Sequence, residues 1–206
     1  MYSRHRLPDM SIEVEIGNIV AGIDEAGRGT LAGPVVAAAV VLDPGCVPRG
    51  IRDSKTINPS ERNQLYKKIL AIAKAGTGIA TVSEIDKFNI LQATLLAMRR
   101  AIMDLTRLLG RMPDAAIVDG NQKPDLPCPT FTFVQGDTRS LSIAAASIIA
   151  KVTRDNLMQA LAIDFPGYGW KRNVGYATKE HRLGLTILGP TPHHRHTFRP
   201  IKPKLH

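Results

Sequence analysis

Two adjacent acids, Asp24 and Glu25, stand where an apolar segment runs into the glycine-rich turn Gly27-Arg28-Gly29. A carboxylate buried on a strand without a partner is heavily desolvated or takes up a proton. A divalent cation removes that cost. The glycines, lacking a Cβ, let backbone amides approach a ligand closely, and Arg28 is offered to a phosphate. The combination suits a site that holds a metal ion and a nucleic-acid backbone together. Neighbouring strand residues face opposite ways, so both acids reach one ion only where the strand ends or bends, or where one contributes its carbonyl. Asp24 is the expected central ligand.

A further acid, Asp119, ends the apolar run Ala115-Ala116-Ile117-Val118 and is followed by Gly120-Asn121. Taken alone, Val-Asp-Gly reads as a capped turn. Beside the first motif, it reads as an acid at the carboxyl end of a neighbouring strand, able to converge with Asp24. The segment Ser142 to Asp155 has helical periodicity, with Ser140, Ser147, Lys151, Arg154 and Asp155 at spacings of three, four and seven on one side. Lys151 is one turn from Asp155, and on this helix alone the pair reads as a surface ion pair of small energetic weight.

The elements that must position these residues read as strands alternating with helices. Val35 to Leu42 is an unbroken, β-branched apolar run, the pattern of a strand buried on both faces. Pro59-Ser60-Glu61-Arg62 opens a helix to about Ala73, with Ser60 expected as its cap. A strand is expected near Thr77 to Val82, a long amphipathic helix over Ile90 to Leu109, a strand over Ala115 to Val118, another over Thr130 to Val134, and a helix after Gly136-Asp137.

At 206 residues and 44% hydrophobic, the chain has room for one substantial core. No run of eighteen apolar residues argues for a membrane span. Met1 to Arg6 precedes Asp9, Glu13 and Glu15 rather than an apolar secretory core, so a cytoplasmic protein is expected. The two cysteines, Cys46 and Cys128, have no spacing that suggests a disulfide framework or a zinc knuckle. A formal net charge of +9 attracts polyanions. Lys171-Arg172, His193-His194-Arg195-His196, Arg199, Lys202 and Lys204 crowd the last quarter, as for a phosphate-tracking surface. His181 and the histidines at 193–196 are expected to be surface groups or phosphate contacts. Tyr168 and Trp170 are expected to pack.

Together these motifs, with Asp53-Ser54-Lys55, Gly136-Asp137 and Ser140, SIAAASIIAKVTRD (142–155), Pro166 to Trp170, Gly175-Tyr176-Ala177-Thr178 with His181, Gly189-Pro190-Thr191-Pro192 and His194-Arg195, are similar to those of bacterial ribonuclease HII, the type 2 ribonuclease H family, from about Ile19 to Pro200. The resemblance implies an α/β fold with a ribonuclease H-like mixed β-sheet flanked by helices over residues 1–160. A small basic helical segment, 161–206, would complete the substrate surface. It implies a catalytic, metal-binding set of Asp24, Glu25, Asp119 and Asp155, with Asp137 and Lys151 as auxiliaries. Gly27, Arg28, Gly29 and Tyr176 would read the RNA-to-DNA junction. Oxygen-only ligands favour Mn²⁺ or Mg²⁺ over zinc. The implied substrates are RNA:DNA hybrids and DNA duplexes with embedded ribonucleotides, cut to 5′-phosphate and 3′-hydroxyl ends during ribonucleotide and RNA primer removal in DNA replication and repair. A monomer is the default state, since no heptad pattern is present. Thr30 stands where the family usually has proline, and is expected to loosen the arginine loop. A binding module without chemistry would need no acidic cluster, and a phosphatase of small phosphoesters would need no basic tail.

Overall fold

The computed structural model describes residues 7–201; Met1 to Arg6, on which the expectation about export partly rests, and Lys202 and Lys204 of the basic tail lie outside the described residues. After a short helix α1 (Ser11–Ile16) come β1 (Val20–Ala26), β2 (Val35–Val41), α2 (Pro59–Ile72), β3 (Lys74–Ala80), α3 (Val82–Leu109), β4 (Ala115–Asp119), β5 (Thr130–Phe133), α4 (Leu141–Asp164), α5 (Trp170–Asn173) and α6 (Lys179–Leu188).

The five strands form one mixed sheet in the order β3-β2-β1-β4-β5. β1 pairs antiparallel with β2, and β2 with β3, while β1, β4 and β5 run parallel. The alternation of side chains sorts the core into two layers. Ala21, Ile23, Val35, Ala37 and Ala39 pack with Ala97, Ala101 and Leu105 of α3. Ala38 and Val40 pack with Ala144, Ile148 and Ile149 of α4 and with Leu65 and Ile69 of α2. α4 lies so close to β1 that a Cβ at Gly22 would overlap the Ser142–Ile143 backbone.

Where the elements begin differs in detail from the sequence expectation. The cap of α2 is Asn58, whose Oδ1 accepts the Glu61 amide at 2.9 Å, rather than Ser60; Pro59 then takes the first helical position, where it needs no N–H partner. α3 starts eight residues before Ile90, behind a capping box of Thr81 and Glu84, and breaks at Asn89 (φ 70°). The Asn89 carboxamide accepts the amides of Leu91 and Gln92, so it restarts the helix where the sequence had placed its beginning. α4 runs unbroken through residue 160, and the chain leaves it at Phe165.

The segment after α4 turns back on the loop between β1 and β2. Residues 193–195 lie antiparallel to 31–33, with the Gly33 amide donating to the His193 carbonyl at 2.8 Å and the Arg195 amide to the Leu31 carbonyl at 2.9 Å. The C-terminal segment is thereby tied to the loop that carries Gly27-Arg28-Gly29.

Candidate active site

The register of β1 against β4 places Ile23 beside Val118. The next residues, Asp24 and Asp119, therefore emerge together at the carboxyl ends of two parallel strands. Here the strand order also reverses, with β2 and β3 on one side of β1 and β4 and β5 on the other, and such switch points are where α/β sheets commonly receive ligands. Asp24 shares the α4 face with Gly22. Asp119 is fixed by the Gly136 amide, which donates to its Oδ1 at 2.7 Å. The same turn carries Asp137, which is buried, as is Asp24. One oxygen from each of Asp24, Asp119 and Asp137 lies within 4.8 Å of the others.

Burial, reinforced by Glu25 and Asp119, holds the Asp24 carboxyl well above the usual carboxylate range. Asp137 is pushed up to about 6 by burial and then by Asp119 and Asp53. Burial also raises Glu25, although Arg28 pulls it back. Burial pulls the Lys55 ammonium down, but Asp24, Asp53, Asp137 and Asp119 outweigh it and leave it raised. The three carboxyls of Asp24, Glu25 and Asp137 are harder to ionise than a free carboxyl because they are buried and too little positive charge faces them. A hard divalent ion on oxygen donors would favour the ionised carboxylates and offset their repulsion, so the residues present fit such an ion.

A cleft of about 280 Å³ opens beside Asp24 and is lined by Glu25, Gly27, Arg28, Gly29, Ser54, Lys55, Ser147, Lys151 and Tyr176. Glu25 lies outside the three-carboxylate group and is 3.4 Å from Arg28 Nη1. Asp155 is also outside it, held by Lys151 Nζ at 2.8 Å. Asp137, expected as an auxiliary, is inside it. Tyr176 is 45% exposed, with Lys151 Nζ 5.6 Å from the centre of its ring. Sequence reasoning gave no role to Ser147, whose hydroxyl accepts the Ser54 amide at 3.3 Å and ties the Lys55 turn to α4. A larger cavity of about 410 Å³ beside α6, lined by Arg182, Leu185, Thr186, Pro190, Pro200 and Ile201, holds no carboxylate.

Behind the arginine loop, two members of the basic cluster expected to face phosphates, together with His181, lie inside the protein, while Lys171, Arg172, His196 and Arg199 are exposed. Arg195 and His194 are fully buried, as is His181. Arg195 donates to the carbonyls of Gly27, Arg28 and Gly33 at 2.6 to 3.0 Å. Arg154, from the side of α4 that had seemed polar and exposed, donates to the carbonyls of Ala32, Pro34 and Val174 and to the Thr30 hydroxyl, all at 2.9 to 3.0 Å. Thr30 is fully buried, so it joins this network and does not loosen the loop. Nothing in the sequence separates these buried cations from the exposed Lys171, Arg172 and Arg199, because burial was decided by contacts distant in the chain. Tyr168 and Trp170 do pack, stacked at 5.1 Å.

A mixed α/β sheet with clustered carboxylates at its switch point and an arginine-bearing glycine loop beside them defines a metal-dependent hydrolase of the ribonuclease H-like fold. Residues 21–201 match the family Ribonuclease HII. A ribonuclease HII from Paramagnetospirillum magneticum is 54% identical over 199 residues, covering 95% of this chain and 97% of its own. The crystal structure of ribonuclease H2 from Pyrococcus horikoshii superposes with a TM-score of 0.70 at 26% identity over 89% of this chain and 95% of that one. Bst-RNase HIII in complex with Mn²⁺ shares the fold, with a TM-score of 0.72 at 19% identity over 96% of this chain and 70% of that one. The chain belongs to the ribonuclease HII family and is a metal-dependent endoribonuclease. No helix among the described residues is long and apolar enough to cross a membrane.

Proposed function

We propose that the chain hydrolyses the RNA strand of RNA:DNA hybrids and cuts on the 5′ side of single ribonucleotides in duplex DNA, leaving 5′-phosphate and 3′-hydroxyl ends. The observation that carries the reading is the convergence of Asp24, Asp119 and Asp137 within 4.8 Å, at the edge of the cleft that Gly27, Arg28, Gly29 and Tyr176 line. Asp24 and Asp119 hold the divalent metal, Mn²⁺ or Mg²⁺, with Asp137 at hand. Glu25 and Asp155 are the further carboxylates, each restrained by a cation, Arg28 or Lys151. When bound, a pair of such ions supplies an activated water and neutralises the charge that develops on the leaving oxygen.

The protein's own groups do the selecting. RNA differs from DNA by its 2′-hydroxyl, and a contact to that group is the discriminating one. The carbonyls of Gly27 and Arg28 are occupied by Arg195, so what these two residues have left to offer a sugar is their amides. Tyr176 gives the neighbouring deoxyribose an apolar surface. Lys55 and Arg28 meet phosphates. A monomer is the proposed active unit. Free cysteines at 46 and 128 support a reducing, cytoplasmic setting.

The test is cleavage of a labelled DNA duplex holding one ribonucleotide, with Mg²⁺, Mn²⁺ or chelator. Metal-dependent cutting 5′ of the ribonucleotide, lost in Asp119→Asn while duplex binding persists, is the expected result. Tight binding without cutting under either metal would favour a non-catalytic binding module and overturn the metal assignment.

A further inference from the structure

Tyr176 follows two consecutive residues with left-handed backbone, Val174 (φ 43°) and Gly175 (φ 90°). Glycine takes that conformation freely, but a β-branched valine does so only where its surroundings impose it, and such outliers cluster at functional sites. The surroundings here are specific. The Val174 carbonyl accepts from Arg154 Nη1 at 2.9 Å and the Gly175 carbonyl accepts the Leu31 amide at 2.9 Å. The Tyr176 carbonyl accepts the Thr178 amide at 2.8 Å and lies 2.9 Å from His181 Nδ1.

The proton on that histidine can be placed from the contacts behind it. The Thr191 amide donates to His194 Nδ1 at 2.9 Å. That nitrogen therefore presents its lone pair, and the neutral His194 ring carries its proton on Nε2. His194 Nε2 is 3.0 Å from His181 Nε2, which also receives the Trp170 indole N–H at 3.1 Å. An indole nitrogen can only donate, so His181 Nε2 is the acceptor and the His181 proton sits on Nδ1, aimed at the Tyr176 carbonyl. Along Thr191, His194, His181 and Tyr176 every donor points the same way. A second proton on His194 would meet the Thr191 N–H, and one on His181 the Trp170 N–H, so the geometry keeps both rings neutral.

We infer that His181, oriented by His194 and Trp170, is a positioning residue that fixes the strained turn at Val174–Gly175 and thereby the place of Tyr176 in the cleft. His181 is fully buried and does not line the cleft. It acts through the tyrosine, and the inference rests on the reading that Tyr176 meets the substrate.

The experiment is a double-mutant cycle in kcat/KM on the single-ribonucleotide duplex, with Tyr176→Ala, His181→Leu and the combination. His181→Asn serves as the conservative variant, since an Asn amide donates from the place of Nδ1. We expect Tyr176→Ala and His181→Leu each to lower kcat/KM by about ten-fold. The double variant should be no worse than Tyr176→Ala alone, and His181→Asn should recover most of the loss although it no longer reaches His194 or Trp170. All variants are compared at a temperature where thermal melts show them folded. Should His181→Leu not fold, His181→Gln replaces it, its amide reaching the Nε2 place but not that of Nδ1. Losses that multiply to about a hundred-fold in the double variant, or His181→Asn no better than the disruptive change, overturn the inference. Unchanged kcat/KM in Tyr176→Ala is a different failure: it removes the substrate role of Tyr176 itself and the inference with it.

Discussion

At the ends of β1 and β4 the protein buries carboxylates with too few cations around them; behind the loop joining β1 to β2 it buries two guanidinium ions whose N–H groups meet backbone carbonyls. In the first region burial and mutual repulsion leave Asp24 and Asp137 raised, Asp137 to about 6. In the second, burial and the nearby Arg154 lower Arg195 to about 9, which still leaves it charged at neutral pH. The acidic end is unfinished without a ligand, and the arginine end is complete as it stands. A site that must bind a cation cannot also be satisfied in its absence, so the stability it forgoes has to come from the packing that frames it.

The largest effect should come from the unfinished side. Asp119→Asn is expected to lower kcat by about a thousand-fold or more, measured on the single-ribonucleotide duplex under saturating Mg²⁺ or Mn²⁺. Its melting temperature in chelator should be unchanged or higher, because one repelling charge is gone. A melting temperature several degrees lower would mean that the carboxylate supports the fold, and the contrast would break. Arg154→Met tests the other side. It leaves the carbonyls of Ala32, Pro34 and Val174 without their shared donor, and removing one member of a buried charged network costs about 3 to 4 kcal/mol. For a chain of this size that lowers the melting temperature by roughly 10 °C. A variant that melts like the wild type would show that the guanidinium is not the structural counterpart proposed here.

The two regions should also respond to pH with opposite sign. Asp137 is raised in the folded state, so its contribution to metal-free stability is present below pH 3.8 and is lost as pH rises towards about 6. His194 is lowered to about 4 by burial and by His181, His196 and His193, so its contribution is present above 6.5 and is lost as pH falls towards 4. Each is expected to be about 3 kcal/mol. Denaturant unfolding from pH 4 to 8 in chelator should therefore show the two trends opposing each other. Added Mg²⁺ should lift stability on the alkaline side alone. A uniform gain at all pH values would place metal binding away from the acids.

The same contrast decides what could be read from the sequence. The convergence of Asp24 and Asp119 was legible because an acid at the end of an apolar strand is a local pattern, and strands such as β2 and β4 follow from their apolar runs. Asp137 was underweighted because its approach to Asp119 depends on the Gly136 turn, which only the β4–β5 pairing brings in. Arg195 and His194 were misplaced on the surface because a basic cluster gives no sign of whether carbonyls 162 to 168 residues away will receive it. The start of α3 was misread for a local reason, since Asn89 offers a second cap inside the helix.

Thr30 gives the smallest and sharpest test of the contrast, because it lies where the arginine side touches the loop of the acidic side. Its hydroxyl accepts from Arg154 Nη2 at 2.9 Å and has the Gly27 and Ala32 carbonyls at 3.1 and 3.0 Å to donate to. Valine has nearly the same shape without the hydroxyl, so Thr30→Val removes these bonds with little change in packing. One buried hydrogen bond to a charged donor is worth about 1.5 to 3 kcal/mol, and Arg154 Nη2 keeps the Ala32 carbonyl, which places the loss at the lower end. The consequence for cleavage should exceed the consequence for folding. Gly27 sits at φ 100° with Arg154 directly behind it, so a shift of the guanidinium moves the backbone that faces the substrate. We expect kcat/KM on the single-ribonucleotide duplex to fall a few-fold in Thr30→Val and to be restored in Thr30→Ser, which keeps the hydroxyl. If Thr30→Val loses stability but cleaves normally, the arginine side supports the fold without setting the loop, and the two regions are independent.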